Sequence, residues 1–204
     1  MTKLITFDLD GTLVDSATSI AKCINYILKL EGKETVNLEI LTSMVGVGTE
    51  KMFESFNIIC SKESYQNIYS QNFLSDITIF EDAVSAIQMA KTLGYKVAIV
   101  TNRDEQLAYK IASKLGLYVI VDGVFGVSKN IRPKPFTDLF SIAQENIGAQ
   151  IVAHIGDHSV DIESAYKFNV QPAVIYRQTK PYNKQRNELV GNNLEKLIWH
   201  LKNY

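Results

Sequence analysis

At 204 residues with a formal net charge of -1, the chain has length for one core domain plus a smaller appended one, and no overall basic excess to serve nucleic-acid binding. With 46% hydrophobic and 21% charged residues it has a globular composition that excludes intrinsic disorder. Cys23 and Cys60 lie far apart without Cys or His at metal spacing, which excludes a disulfide scaffold or zinc site and predicts buried free thiols. The opening MTKLITFDLDG is too short in apolar length for a signal peptide, and no run approaches the roughly 20 apolar residues of a membrane span. The expectation is a soluble, cytoplasmic protein.

In chain order, Leu4 to Leu9 reads as a buried strand ended by Gly11. From Ala17 to Ile79 the pattern turns helical. Ile20, Ile24, Ile27 and Leu28 share one face, and further helical patterns follow at Leu38 to Met44, Glu50 to Phe56 and Ser64 to Leu74. A helix from about Asp82 to Leu93 ends at Gly94, and KVAIV, Lys96 to Val100, is a second strand. Gly123 to Val127, Ile151 to Ile155 and Ala173 to Tyr176 are three more. Helices are predicted between them at Glu105 to Leu115, Thr137 to Asn146 and Val160 to Phe168, with Leu194 to Leu201 as a closing helix on which Trp199 packs.

Apolar strands alternating with helices predict an α/β fold, a Rossmann-like parallel sheet covered on both faces. The helical stretch reads as an insertion. Residues 1–16 and 80–204 would form the core and 17–79 an α-helical cap. Ligands of such sheets bind at the carboxyl ends of the strands. Asp8, Thr101 and Asp157 all fall there, so separated polar clusters can converge.

The first cluster is Asp8-Leu9-Asp10-Gly11-Thr12. Two nearby carboxylates tend to separate in pKa, which allows one nucleophile and one general acid, and a divalent cation would relieve their repulsion. A solvated turn is the alternative. Thr101-Asn102 is an anion cradle or a helix cap shared with Asp104. In Arg132-Pro133-Lys134-Pro135 the prolines restrict where Lys134 reaches, suiting a phosphate or carboxylate partner; an ordinary surface turn is the plainer reading, and Arg132 is the surface member. Asp157 and Asp161 fall on one side of a helix start, as a second pole for the cation or as acids on a helix dipole. His158 reads as a partly exposed loop residue, His154 as a core residue, and Asp15 and Ser16 as hinge or capping residues.

Together, in this order, the four motifs resemble the haloacid dehalogenase superfamily of phosphohydrolases over nearly the whole chain. The opening DLDGTLVDS followed by a helical insertion is similar to the subgroup of phosphoglycolate phosphatases and β-phosphoglucomutases, which carry an α-helical cap. The resemblance implies that Asp8 attacks phosphorus, that Asp10 protonates the leaving group and then activates water, and that Lys134 neutralises the nucleophile and transferring group. It implies phosphate contacts from Gly11, Thr101 and Asn102, the last through its backbone. It places Mg²⁺ on the Asp8 carboxylate, the Asp10 carbonyl and Asp157, with Asp161 orienting Lys134. MVGVGTEKMF, residues 44 to 53, resembles a cap specificity loop, with Gly46 and Gly48 near substrate and Lys51 toward a substrate carboxylate or, as a plain alternative, exposed on its helix.

The implied activity is a Mg²⁺-dependent phosphatase of a small phosphorylated metabolite, phosphoglycolate-like, in a monomer or homodimer with no nucleic-acid or membrane partner. Alternatives are a β-phosphoglucomutase-like phosphomutase, a pyrophosphatase or nucleotidase, and a non-catalytic phosphate-binding protein. Two departures from the subgroup stand out: Ile79-Phe80-Glu81 where an aromatic-Pro-Gly turn is frequent, and Phe136 where many members have proline or a small residue.

Overall fold

Strand β1, Lys3–Phe7, lies inside a six-stranded sheet in the computed structural model, which describes residues 1–45, 49–177 and 186–202. Its partners are β4 (Lys96–Asp104) and β6 (Gln150–Gly156). The order is β5-β4-β1-β6-β7-β8, parallel throughout, with β5 at Gly123–Val127, β7 at Gln171–Ile175 and β8 at Leu189–Gly191. Helices α5 (Ala83–Thr92), α6 (Glu105–Lys114), α7 (Asp138–Ile147), α8 (Ser159–Lys167) and α9 (Leu194–Leu201) cover the sheet.

Period-two alternation explains why the strands read as unbroken apolar runs. Ile5, Phe7, Val97, Ile99 and Ile155 enter one apolar cluster, while Leu4, Ala98, Val100 and Ile151 enter the other. The predicted elements recur within a few residues of their expected bounds. Two features differ. Strand β4 continues through Thr101 and Asn102 to Asp104, so these two residues extend a strand, and Asp104 alone caps α6 by accepting from the N–H groups of Gln106 (3.0 Å) and Leu107 (3.3 Å). The three-residue β8 follows β7 and gave no sequence signal.

The segment after β1 is helical: α1 (Ala17–Leu30), α2 (Leu38–Ser43), α3 (Thr49–Ser55) and α4 (Lys62–Asn72). Ile20, Ile24, Ile27 and Leu28 are buried on α1. Their cluster also holds Tyr65 and Tyr69 of α4 and runs on into the sheet. At the junctions, β2 (Val14–Asp15) pairs antiparallel with β3 (Thr78–Ile79). Cys23 is a buried free thiol and Cys60 is half-buried. Trp199 does not pack into the core: it is 54% exposed on the outer face of α9, under the Lys202 ammonium. Among the described residues no helix is long and apolar enough to cross a membrane.

Candidate active site

Register brings the motifs together. Phe7 pairs with Ile99 on one side and Ile155 on the other, so Asp8, Thr101 and Asp157 all emerge just past paired positions at one sheet edge. The Asp8 N–H donates to the Ile155 carbonyl at 2.8 Å, holding Asp8 in the ladder's line. The chain then turns at Gly11, whose φ is +81°. A Cβ there would stand 2.3 Å from an Asp157 carboxylate oxygen, so glycine is required twice, for backbone and for space. The Thr12 hydroxyl donates to Asp157 Oδ1 at 2.9 Å, tying the turn to the acid.

Lys134 is 3% exposed and reaches under the nucleophile position. Its ammonium donates to Asp8 Oδ1 (2.8 Å), the Val100 carbonyl (2.8 Å) and Asp161 Oδ1 (2.6 Å). An ammonium has three protons, so these bonds use all of them. His154 Nε2, 3.2 Å from the same Asp161 oxygen, therefore carries its own proton and donates to it. Its Nδ1 accepts from the Thr6 hydroxyl at 2.9 Å. His154 is buried as expected of a core residue, yet it belongs to this network, because alternation puts it on the same sheet face as Thr6. Burial, reinforced by nearby Lys134, pushes its pKa down to about 4, so the imidazole is neutral.

The acids differ in environment. Burial pushes the Asp8 carboxyl up to about 7 against the pull of Lys134, with Asp161 and Asp10 adding to the rise. Burial alone would raise Asp161 too, but Lys134 and His154 overcome it and hold Asp161 below the usual range. Desolvation by surrounding protein, with Asp161 and Asp8, pushes Asp157 upward, although its exposed rim position lets water screen part of this. Asp161 Oδ2 also accepts from the His158 N–H at 3.0 Å, making His158 the cap of α8. Gly156 leaves the room this needs, since a Cβ there would fall 2.3 Å from the Asp161 carboxyl carbon.

Asp10 sits across the turn, 8% exposed, and accepts from two residues that sequence reading did not assign to it. Arg103 binds it through two bonds, Nε to Oδ2 at 2.7 Å and Nη2 to Oδ1 at 2.8 Å. The Ser16 hydroxyl donates to Oδ1, so Ser16 makes no side-chain cap to α1. The signal for Arg103 was its place directly after Thr101-Asn102; that for Ser16 was its hinge position.

Asp8, Asp10, Thr101, Asn102 and Lys134 line one small cavity, closed on the insertion side by Ile20, Val45 and Met52. Asn102 acts through its side chain as well: its amide holds the Lys134 backbone. Lys51 does not line the cavity; it is exposed on α3. Gly46 and Gly48 lie outside the described residues. Arg132 is a surface residue paired with Asp138 at 2.7 Å and laid over Phe136.

Four acids, Asp8, Asp10, Asp157 and Asp161, here face two cations, Lys134 and Arg103. One carboxylate oxygen from each of Asp8, Asp157 and Asp161 lies within 4.8 Å of the others. This oxygen-only donor set with surplus negative charge fits a hard divalent cation. Asp161 already serves Lys134, His154 and the His158 N–H, which leaves Asp8 and Asp157 as the carboxylates for it.

Comparison with known proteins agrees with this arrangement. The chain matches the haloacid dehalogenase-like hydrolase family over residues 5–175. It is similar to the phosphoglycolate phosphatase of Aquifex aeolicus (strain VF5), 28% identical over 180 residues that cover 84% of each chain. It is 27% identical to that of Rhodobacter capsulatus over 194 residues, 90% of this chain and 87% of the relative. In structure it resembles a haloacid dehalogenase-like hydrolase from Streptococcus pneumoniae, with TM-score 0.81 and 23% identity over 98% of both chains. A predicted phosphatase from Clostridium acetobutylicum superposes with TM-score 0.81 and 22% identity over 100% of both. The motif order, the parallel α/β core and the family match together make this chain a member of the haloacid dehalogenase-like hydrolase family, and a phosphatase within it.

Proposed function

We propose that the protein is a Mg²⁺-dependent phosphatase of a small phosphorylated metabolite, phosphoglycolate-like, acting through an aspartyl-phosphate on Asp8. The observation that carries this is Asp8 itself, seated at the sheet's carboxyl edge with Lys134 Nζ at 2.8 Å and one oxygen toward the acidic cluster. Its oxygen attacks phosphorus as the bond to the leaving oxygen breaks. Asp10 delivers a proton to that oxygen, then takes one from the water that cleaves the acyl phosphate. Lys134 offsets the charge of Asp8, and Thr101 meets the phosphoryl oxygens. Asp8 and Asp157, with the Asp10 carbonyl, would hold Mg²⁺, which when bound supplies charge neutralisation for carboxylates and phosphate alike. In this reading residues 17–79 act as the cap that selects substrate, and residues 1–16 and 80–204 perform the chemistry.

Phosphate release from 4-nitrophenyl phosphate and a metabolite panel, with Mg²⁺ and with EDTA, tests the reading. Metal-dependent release is the expected result. Isomer formation without release would replace hydrolase by mutase. No reaction from folded, metal-loaded protein would overturn both in favour of a binding protein.

A further inference from the structure

Arg103 is 7% exposed, yet it lines the cavity that holds Asp8 and Thr101. Its guanidinium lies 4.8 Å from the centre of the Tyr69 ring of α4, so it bridges the core and the insertion. Two of its five N–H donors go to Asp10. Lys134, the other cation of the cavity among the described residues, has no proton left for a ligand. A ligand carrying a second negative group beyond its phosphate therefore finds one cation able to change partner, and that is Arg103.

The wall opposite is Ile20, Val45 and Met52, with Thr49 as its polar member. Such a wall offers little to the hydroxyls of a sugar and suits a short carbon chain. The fork of Arg103 already holds a carboxylate in two parallel bonds, and the same geometry receives a ligand carboxylate. Resting on the phosphatase reading above, we propose that Arg103 is the anchor for a carboxylate on the leaving group. It exchanges Asp10 for that carboxylate, which frees the Asp10 oxygens to face the ester oxygen. Substrate choice and release of Asp10 are then one event.

The test compares 2-phosphoglycolate with its uncharged amide, phosphoglycolamide. Binding of both to Asp8→Asn protein in Mg²⁺, which isolates recognition from turnover, is measured by calorimetry, and kcat/KM by the wild type. The carboxylate form is expected to win by about 10–100-fold in each, the worth of one charged hydrogen-bonded contact. Arg103→Met in either background should bring the ratio near one, and Arg103→Lys, keeping charge without the fork, should fall between. Circular dichroism and melting identify a variant that fails to fold, in which case Arg103→Lys decides. An unchanged ratio in the substituted proteins, no preference in the wild type, or no binding of either compound would overturn the proposal. Turnover of 4-nitrophenyl phosphate reports separately on the phosphatase reading, so the two can fail independently.

Discussion

Asn102 grips Lys134 with both ends of its amide. Nδ2 donates to the Lys134 carbonyl at 2.9 Å while Oδ1 accepts from the Lys134 N–H at 2.6 Å. The pair joins the end of β4 to a loop 32 positions further on and fixes where the lysine side chain begins its reach. Asn102→Ala should leave the fold intact, cost about 1–3 kcal/mol of stability, and lower kcat by about 10–100-fold because the ammonium is misplaced. Steady-state kinetics beside thermal melting check this. Wild-type kcat in a folded variant would mean that Pro133 and Pro135 position Lys134 unaided.

Asp8→Asn should lower turnover by at least about 10³-fold. It should also stabilise the metal-free protein. The folded pKa of Asp8, about 7, lies above its ordinary 3.8. Wild-type stability therefore falls as pH rises through this interval and the buried carboxyl ionises. Asparagine escapes that loss. In EDTA the melting temperature of the variant should exceed the wild type's at pH 8, converge with it near pH 4, and lose its advantage when Mg²⁺ is added.

Replacing Gly11 should do more harm than its backbone angle explains. Gly116 has a similar positive φ of 71°, but a Cβ there meets nothing within 4 Å. Gly116→Ala is expected to cost about 1–2 kcal/mol from strain alone and to keep full activity. Gly11→Ala carries the same strain and also drives a methyl into the Asp157 carboxylate. It should abolish activity and weaken Mg²⁺ binding, as titration calorimetry would read directly. Equal behaviour of the two variants would remove Asp157 from the site.

His154 should show the Nε2–H tautomer in ¹⁵N NMR, since Lys134 has no proton to spare for it. Its pKa of about 4 lies below the ordinary 6.5, so the unfolded chain binds the proton first. Its contribution to stability is whole above pH 6.5 and is lost as pH falls toward 4, by roughly 3 kcal/mol. His154→Gln keeps a donor for Asp161 without the titration. The difference in melting temperature between wild type and variant should therefore shrink on acidification. Asp8 tilts the metal-free protein the opposite way over part of this range, and comparing two proteins that both contain it cancels that slope.

The strands and helices were legible because each apolar residue obeys a period of 2 or 3.6, and the acids because glycines and strand ends mark where they emerge. Arg103 and His154 were not. Arg103 acts on Asp10, 93 positions away, a contact that exists only once β1 and β4 lie side by side. His154 has apolar neighbours in sequence, and its polar partners Thr6 and Asp161 come from another strand and from a helix. Ser16 read as a helix cap since its position suits one, but its hydroxyl is drawn to the stronger acceptor, a buried carboxylate. Lys51 carried the charge expected of a carboxylate partner, yet α3 turns it to water, as the long, strongly hydrated lysine chain prefers.

The pairing of Val14 with Ile79 and of Asp15 with Thr78 puts the two chain crossings into the insertion side by side, about 5 Å apart as neighbouring strands are. To the sheet, everything from Ser16 to Ile77 is then equivalent to a hairpin loop. A loop with fixed, adjacent ends can be exchanged for another of different length and sequence without moving β1 or its acids. The chain is in this sense built like a tool with a replaceable head: recombination at two neighbouring points could trade one selectivity for another while the catalytic strands keep their register.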